Sequence, residues 1–211
     1  EKMAEIMFEK FNVPSFYLGT QGAFSMYASG RTTGITCDIG GGLCQFVPIY
    51  EGNIVINATN RLNFGGQDID EYLKRILTER GYYFDTFYEK ELVRQIKEEY
   101  AYVTLDYNQE LNKSGSSSEF EIPNITLREK PIKITNERFR CTELLFKPYL
   151  NGFEFKGLEN VLYDSILKCK DDIQKDLFCN IVLSGSSTMF KGLSERIEKE
   201  IICLISNPSQ K

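Results

Sequence analysis

The 211 residues include no histidine and no tryptophan. Without an imidazole the chain cannot build His-ligated metal sites, Ser-His-Asp triads or a histidine general base. Cysteine is sparse: six residues, at 37, 44, 141, 169, 179 and 203, form no C-x-x-C pair. An even count would allow a disulfide framework, but a chain this long does not need one, so reduced cytosolic thiols are expected. No apolar run approaches the roughly 18 residues of a membrane span, and the amino terminus lacks the basic-then-apolar layout of a signal peptide. A soluble protein with no membrane partner is expected. The 25 basic residues form no block and are outnumbered by 30 acidic ones, a net charge of −5, so no nucleic-acid partner is expected either. The string G-x-x-x-x-G-K-[ST] is also missing, which removes a P-loop ATPase.

The composition that remains, 42% apolar and 26% charged, is that of a folded globular chain rather than a disordered one. Its length allows one sizeable core, or one lobe with a smaller subdomain. An opening helical pattern places Met3, Ile6, Met7 and Phe11 on one face and stops at Asn12-Val13-Pro14. A helix starting at the first residue without a cap suggests a cut inside a larger protein. A short helical run over 22–27 ends at Ser29-Gly30. Residues 34–48 read as strand, glycine turn, strand, and 53–60 as a third strand, giving a meander rather than a strand-helix-strand unit. Helical stripes follow at Ile69, Leu73, Ile76 and Leu77, and at Leu92, Val93, Ile96, Tyr100 and Val103. Residues 109–118 read as an exposed loop, with short strands near 120–123 and 132–134. A helix carrying Val161, Leu162, Ile166 and Cys169 then leads to a strand over 178–183, a serine-rich turn, and a helix with Leu193, Ile197 and Ile201.

Three elements could carry chemistry. In Asp38-Ile39-Gly40-Gly41-Gly42, glycines let main-chain N–H groups approach phosphate oxygens, and Asp38 at the strand end could hold hydrated Mg²⁺. The same string also suits an ordinary tight hairpin. Asn63-Phe64-Gly65-Gly66-Gln67-Asp68 is a second glycine turn ahead of a helix, where Gly66 permits close approach to a ligand and Asp68 can cap. Ser184-Gly185-Ser186-Ser187 is the third, either a phosphate donor or a plain cap. Lys97 and Glu98 flank an apolar stripe; they suit a phosphate or base and a ribose hydroxyl, or equally a solvated surface.

These elements and their order resemble the actin family. The resemblance is carried by Tyr27-Ala28-Ser29-Gly30-Arg31-Thr32-Thr33-Gly34, Val47-Pro48-Ile49-Tyr50-Glu51-Gly52, Ile76-Leu77-Thr78-Glu79-Arg80-Gly81-Tyr82, Asn136-Glu137-Arg138-Phe139-Arg140-Cys141 and Lys175-Asp176-Leu177. It implies an α/β fold: the large lobe of an actin-like ATPase, a mixed sheet flanked by helices, with a smaller, mainly helical upper subdomain. Residues 1–28 would be a remnant of the small lobe and hinge, 29–64 with 154–211 the lower part carrying the nucleotide loops, and 65–153 the inserted upper part. The implied ligand of the intact parent is ATP or ADP with Mg²⁺, held by Asp38 (through water), Gly40, Gly41, Gly42, Gly66, Lys97, Glu98, Gly185, Ser186 and Phe190. Gln21 would position the attacking water. The isolated chain, with half a site, would bind no cofactor and catalyse nothing. Implied partners are actin-like subunits or actin-binding proteins, in the cytoplasm and cytoskeleton, with a nuclear, chromatin-remodelling role also compatible.

Departures from the family pattern concern mechanism. A second aspartate expected in the hairpin is Gly41, the expected histidine after it is Gln45, a late glycine is Ser186, and the tyrosine beside adenine is Phe190. Loss of the acceptor at 41, with no neighbour evident to replace it, implies slow hydrolysis by the intact parent. A structural member that keeps nucleotide without turning it over is the alternative. A sugar or small-molecule kinase of the same broad fold lacks its acceptor-binding aspartates here. In the segment 146–153, Leu150 and Phe153 keep apolar character while Asn151 replaces a leucine, so weaker self-assembly is expected.

Overall fold

The computed structural model describes residues 1–114, 119–128 and 130–206. Helix α1 (Lys2–Glu5) continues through a π turn (Ile6–Lys10) that buries none of its side chains. The apolar face read there stays open: Met3 is 55% and Phe11 69% exposed. Helix α2 (Gln21–Ala28) follows, and then the strands that organise the molecule. β1 (Gly34–Ile39) and β2 (Cys44–Tyr50) pair antiparallel, with Asp38 opposite Gln45 and Ile39 opposite Cys44.

Alternation along β1 assigns its two faces. Ile35, Cys37 and Ile39 enter the main core, whereas Thr36 and Asp38 face the side covered by α2. All six residues of β1 are buried. The run expected as one strand over 53–60 is two short ones, β3 (Asn53–Ile54) and β4 (Asn60–Leu62), parted by a 3₁₀ turn (Ile56–Ala58). Pro48 explains the break. Its carbonyl accepts from Val55 N at 2.9 Å, so the same edge of β2 presents a proline nitrogen with no hydrogen to return, and the ladder lapses there.

Helix α3 (Gly66–Glu79) is held at its start by Asp68, whose Oδ2 accepts from Gly65 N at 2.8 Å, and α4 (Phe87–Tyr100) by a Thr86–Glu89 capping box. Val103 lies beyond the end of α4. The loop expected over 109–118 begins instead as helix α5 (Tyr107–Ser114), because Asp106 caps it by accepting from Gln109 N at 2.9 Å. Residues 115–118 of that expectation lie outside the described residues. A hairpin of β5 (Phe120–Leu127) and β6 (Lys130–Ile134) leads into α6 (Glu137–Arg140) and two 3₁₀ turns. Pro148 opens the second turn, at a position where its missing N–H has no partner to lose.

Helices α7 (Leu158–Leu167) and α8 (Asp171–Cys179) precede β7 (Ile181–Ser184). Phe178, read as strand, closes α8, and Asn180 ends that helix by donating Nδ2 to Asp176 O at 2.9 Å. β7 lies parallel to β1, with Asp38 beside Ser184, which makes the sheet β3-β2-β1-β7 mixed, with β4 on the free edge of β2. After a 3₁₀ turn (Ser186–Thr188), α9 (Leu193–Ser206) buries Leu193, Ile197 and Ile201 one turn apart. One core cluster runs from the sheet through α3, α4, the β5–β6 hairpin, α7 and α9. Among the described residues no helix is long and apolar enough to cross a membrane.

Candidate functional site

The turn between β1 and β2 is closed by Gly40 N donating to Leu43 O at 2.9 Å. Two of its carbonyls are engaged on one side. Gly40 O accepts from Gly66 N at 2.9 Å and from Ser187 Oγ at 3.1 Å, and Gly41 O accepts from Gln67 N at 2.6 Å. The first N–H groups of α3 are therefore spent on the turn itself. The Gly41 and Gly42 N–H groups have no acceptor among the described residues, so these two donors are the ones left for an anion.

Such close approach needs glycine on the facing chain. A Cβ at Gly66 would lie 2.6 Å from Ser187 Oγ, and at Gly185 (φ +91°) 2.4 Å from Ile39 O and 2.7 Å from Asp38 Oδ1. Position 41 is different. A Cβ there would meet nothing nearer than the Gln67 side chain at 4.0 Å, so Gly41 is free of any packing demand.

Asp38 lies beneath Gly185, 6% exposed, and its Oδ1 has no hydrogen-bond partner. Ser184 Oγ, on its register partner in β7, is likewise buried and unpartnered. Two orphaned polar atoms side by side at the end of a sheet cost free energy unless a further group satisfies them. A hydrated divalent cation fits this donor set: one carboxylate oxygen and one hydroxyl, with the cation keeping most of its own waters. Gln45, opposite Asp38 on β2, flanks the carboxylate on its other side and is half-buried. Helix α2 packs on this same face of β1, with Gly22 against Thr36 and Val47, and Gln21 stands at the start of that helix.

On the other side of the turn an open cleft of about 940 Å³ is lined by Gly41, Gly66, Lys97, Glu98, Ser186 and Phe190, together with residues of α3 and α4. Six of the sequence-derived residues thus share one cavity wall. Asp38, Gly40 and Gly185 lie directly behind it, and Gly42 adjoins Gln67 at its edge. Gln21 is not part of this wall.

Lys97 is only 5% exposed, and its ammonium donates to Gly66 O at 2.9 Å and pairs with Asp70 Oδ1 at 2.8 Å. It clamps α4 to the first turn of α3 while facing the cleft. Burial pushes the Asp70 carboxyl above the usual range, against the opposing pull of Lys97. Glu98 instead pairs with Arg94 at 2.9 Å on the open surface, an arrangement worth little to stability. Phe190 packs half-buried against the core, and Met189 beside it is 83% exposed. The thiols close to the turn are inert: burial, then the Asp38 and Asp68 charges, push Cys44 up to about 12.

Sequence reasoning missed Ser187 as a strap on the turn, Asp70 as the partner of Lys97, and Gln67 as a cleft residue. Asp70 meets Lys97 only because α3 packs on α4, which no local pattern announces. Nothing local marks Ser187.

A family model described as Actin matches residues 1–210. With the mixed sheet, its flanking helices and the glycine turn at the parallel strand ends already in place, the chain belongs to the actin family.

Proposed function

We propose that this chain forms the large-lobe side of an actin-like nucleotide cleft, and that the full-length protein carrying it binds Mg²⁺–ATP or Mg²⁺–ADP and assembles as an actin-like, cytoskeletal subunit. The lower part would comprise 29–64 and 154–211, with 65–153 inserted as the upper part. The observation that carries this reading is the unpartnered Asp38 Oδ1 beneath a turn whose Gly41 and Gly42 N–H groups are free. Phosphate oxygens suit those donors, and Asp38 with Ser184 suits the water shell of Mg²⁺. The cation's chemistry is to neutralise charge on the transferring phosphoryl group. Gly66, Ser186 and Phe190 line the wall available to ribose and base, and Gln21 would orient the attacking water.

A second reading, a structural member that holds nucleotide without hydrolysing it, is favoured by one observation. Neither Gly41 nor Gln45 supplies a charged or titratable group beside Asp38. In phosphoryl transfer, placement of charge around the metal and water sets the rate, so this turn is suited to binding more than to cleavage. Self-contact through 146–153 is also reduced. Phe153 is held in an aromatic trio with Phe64 and Phe155, at 5.4 and 5.2 Å, and Leu150 packs on the same core, leaving Tyr149 as the exposed ring.

Rapid mixing of the full-length protein with substoichiometric Mg²⁺–ATP reads both proposals at once. Bound nucleotide with slow cleavage, accelerated about a hundredfold by Gly41→Asp, is expected for the slow ATPase; the gain matches a charge-placing group of roughly 2.7 kcal/mol. Binding without cleavage in either form identifies the structural member, and no binding removes the nucleotide reading.

A further inference from the structure

The second residue of α3 sets the turn apart from an incomplete phosphate site. Gln67 is fixed by its backbone, through the 2.6 Å bond to Gly41 O, yet its side chain is exposed to the cleft and makes no hydrogen bond to the described residues. Its carboxamide lies over the turn. Nε2 and Cγ are 4.0 Å from where a Cβ of residue 41 would stand, and Oε1 is 3.6 Å from where a Cβ of residue 42 would stand. The space that a side chain at 41 would enter is thus bordered by a free amide donor and a free amide acceptor. The turn's own Gly41 and Gly42 N–H groups are without acceptors among the described residues, and Asp38 Oδ1, which starts the turn and lies beneath Gly185, is buried and unpartnered as well.

We propose that Gln67 is a positioning residue for the phosphate end of the ligand, taking over with its carboxamide the place that Gly41 leaves empty. The inference rests on the nucleotide reading of this cleft. An amide side chain carries both a donor, suited to a phosphate oxygen, and an acceptor, suited to a water on the cation; glycine at 41 offers no side-chain group of either kind. It carries no charge, so it can hold a phosphate and its hydrated cation without adding the negative field that an aspartate would place there. Its backbone is tethered to Gly41 O, so the carboxamide extends from a fixed point beside the turn. A ligand bearing terminal phosphates is therefore gripped from two sides, by the Gly41 and Gly42 N–H groups below and by Gln67 above.

The test is equilibrium binding of Mg²⁺–ATP and of Mg²⁺-free ATP to the full-length protein, by calorimetry, in a double-mutant cycle between positions 41 and 67. Gln67→Ala is expected to weaken Mg²⁺–ATP about tenfold, the loss of hydrogen bonds to a charged ligand. In the Gly41→Asp background the same change should weaken it less than about threefold, because contacting residues that serve one function are not additive. Thermal melting of the ligand-free proteins should not move, since the Gln67 side chain bonds to nothing in the fold. Equal losses in both backgrounds, or undiminished binding by Gln67→Ala, would overturn the inference while leaving the nucleotide reading intact. Failure of the unmutated protein to bind Mg²⁺–ATP would overturn both.

Discussion

Asp38 and Glu143 are both buried carboxylates, and the protein treats them in opposite ways. Glu143, 1% exposed, is saturated: Lys147 approaches its Oε1 at 2.9 Å and Arg196 reaches both oxygens at 3.3 and 3.4 Å. Arg196 is itself filled, donating to Glu200 and Thr104 O at 2.6 Å and lying over the Phe146 ring at 4.6 Å. Asp38 has an oxygen with no partner among the described residues. Where a buried charge is fully matched from within the chain, its role is to join elements, here α9, the 3₁₀ turn Thr142–Leu145 and the segment after α4. Where the chain leaves one unmatched behind a cleft wall, a partner from outside is implied.

The sharpest way to break this contrast is to remove the partner at the saturated site. Arg196→Met keeps much of the apolar stem but strands Glu143, and it should cost about 3–5 kcal/mol of unfolding free energy. Urea denaturation measures it. A loss under about 1 kcal/mol would mean that the cluster is not the brace described.

Next to that cluster stands a carboxyl treated in a third way. Glu159 is 9% exposed with Oε2 unpartnered, and burial above all, then the nearby Glu200 and Glu143 charges, push its pKa up to about 7 despite Arg196. For an acid raised in this way the folded state holds its proton while the unfolded chain, near 4.5, has lost it. The contribution of this proton to stability is therefore full below about pH 4.5, falls as pH rises, and is gone above about 7, a change of about 3 kcal/mol in all. Glu159→Gln should flatten this part of the pH profile and raise the melting temperature at pH 8 but not at pH 4.5. Parallel profiles for the two proteins would show that Glu159 does not carry the dependence.

The smallest stability effect is expected at Asp38. Asp38→Asn removes an unmatched buried charge and should leave unfolding free energy unchanged or higher by about 1 kcal/mol. In the full-length protein the same change should abolish the Mg²⁺ dependence of nucleotide affinity, read by calorimetry with and without the cation. A destabilisation as large as that of Arg196→Met would place Asp38 among the structural charges and end the comparison.

Much of the fold was legible from residue pattern. The stripe Ile69, Leu73, Ile76, Leu77 does form α3, and the glycine turn does join two antiparallel strands. Pattern and structure differ where a single residue just outside a segment decides its conformation. One missing N–H on Pro48 divided the strand expected over 53–60, and the Asp106 cap carried a helix into a tract whose serines and glycine read as loop. The opening helix shows the reverse. Its periodicity is correct, but Met3 and Phe11 find no surface within the chain to cover them.

For the site, sequence by itself determined where backbone could come close to backbone. Gly40, Gly66 and Gly185 are legible because turns and near contacts admit few other residues, and a resemblance spread over the whole chain located them in one family. Which side chains would meet across those glycines was decided only by the tertiary structure. Lys97 faces Asp70 from another helix, Ser187 reaches Gly40 from 147 residues away, and Gln67 lies over a vacancy at Gly41. Such pairings depend on the relative placement of whole elements packed on a common core, and no local pattern of residues encodes that placement.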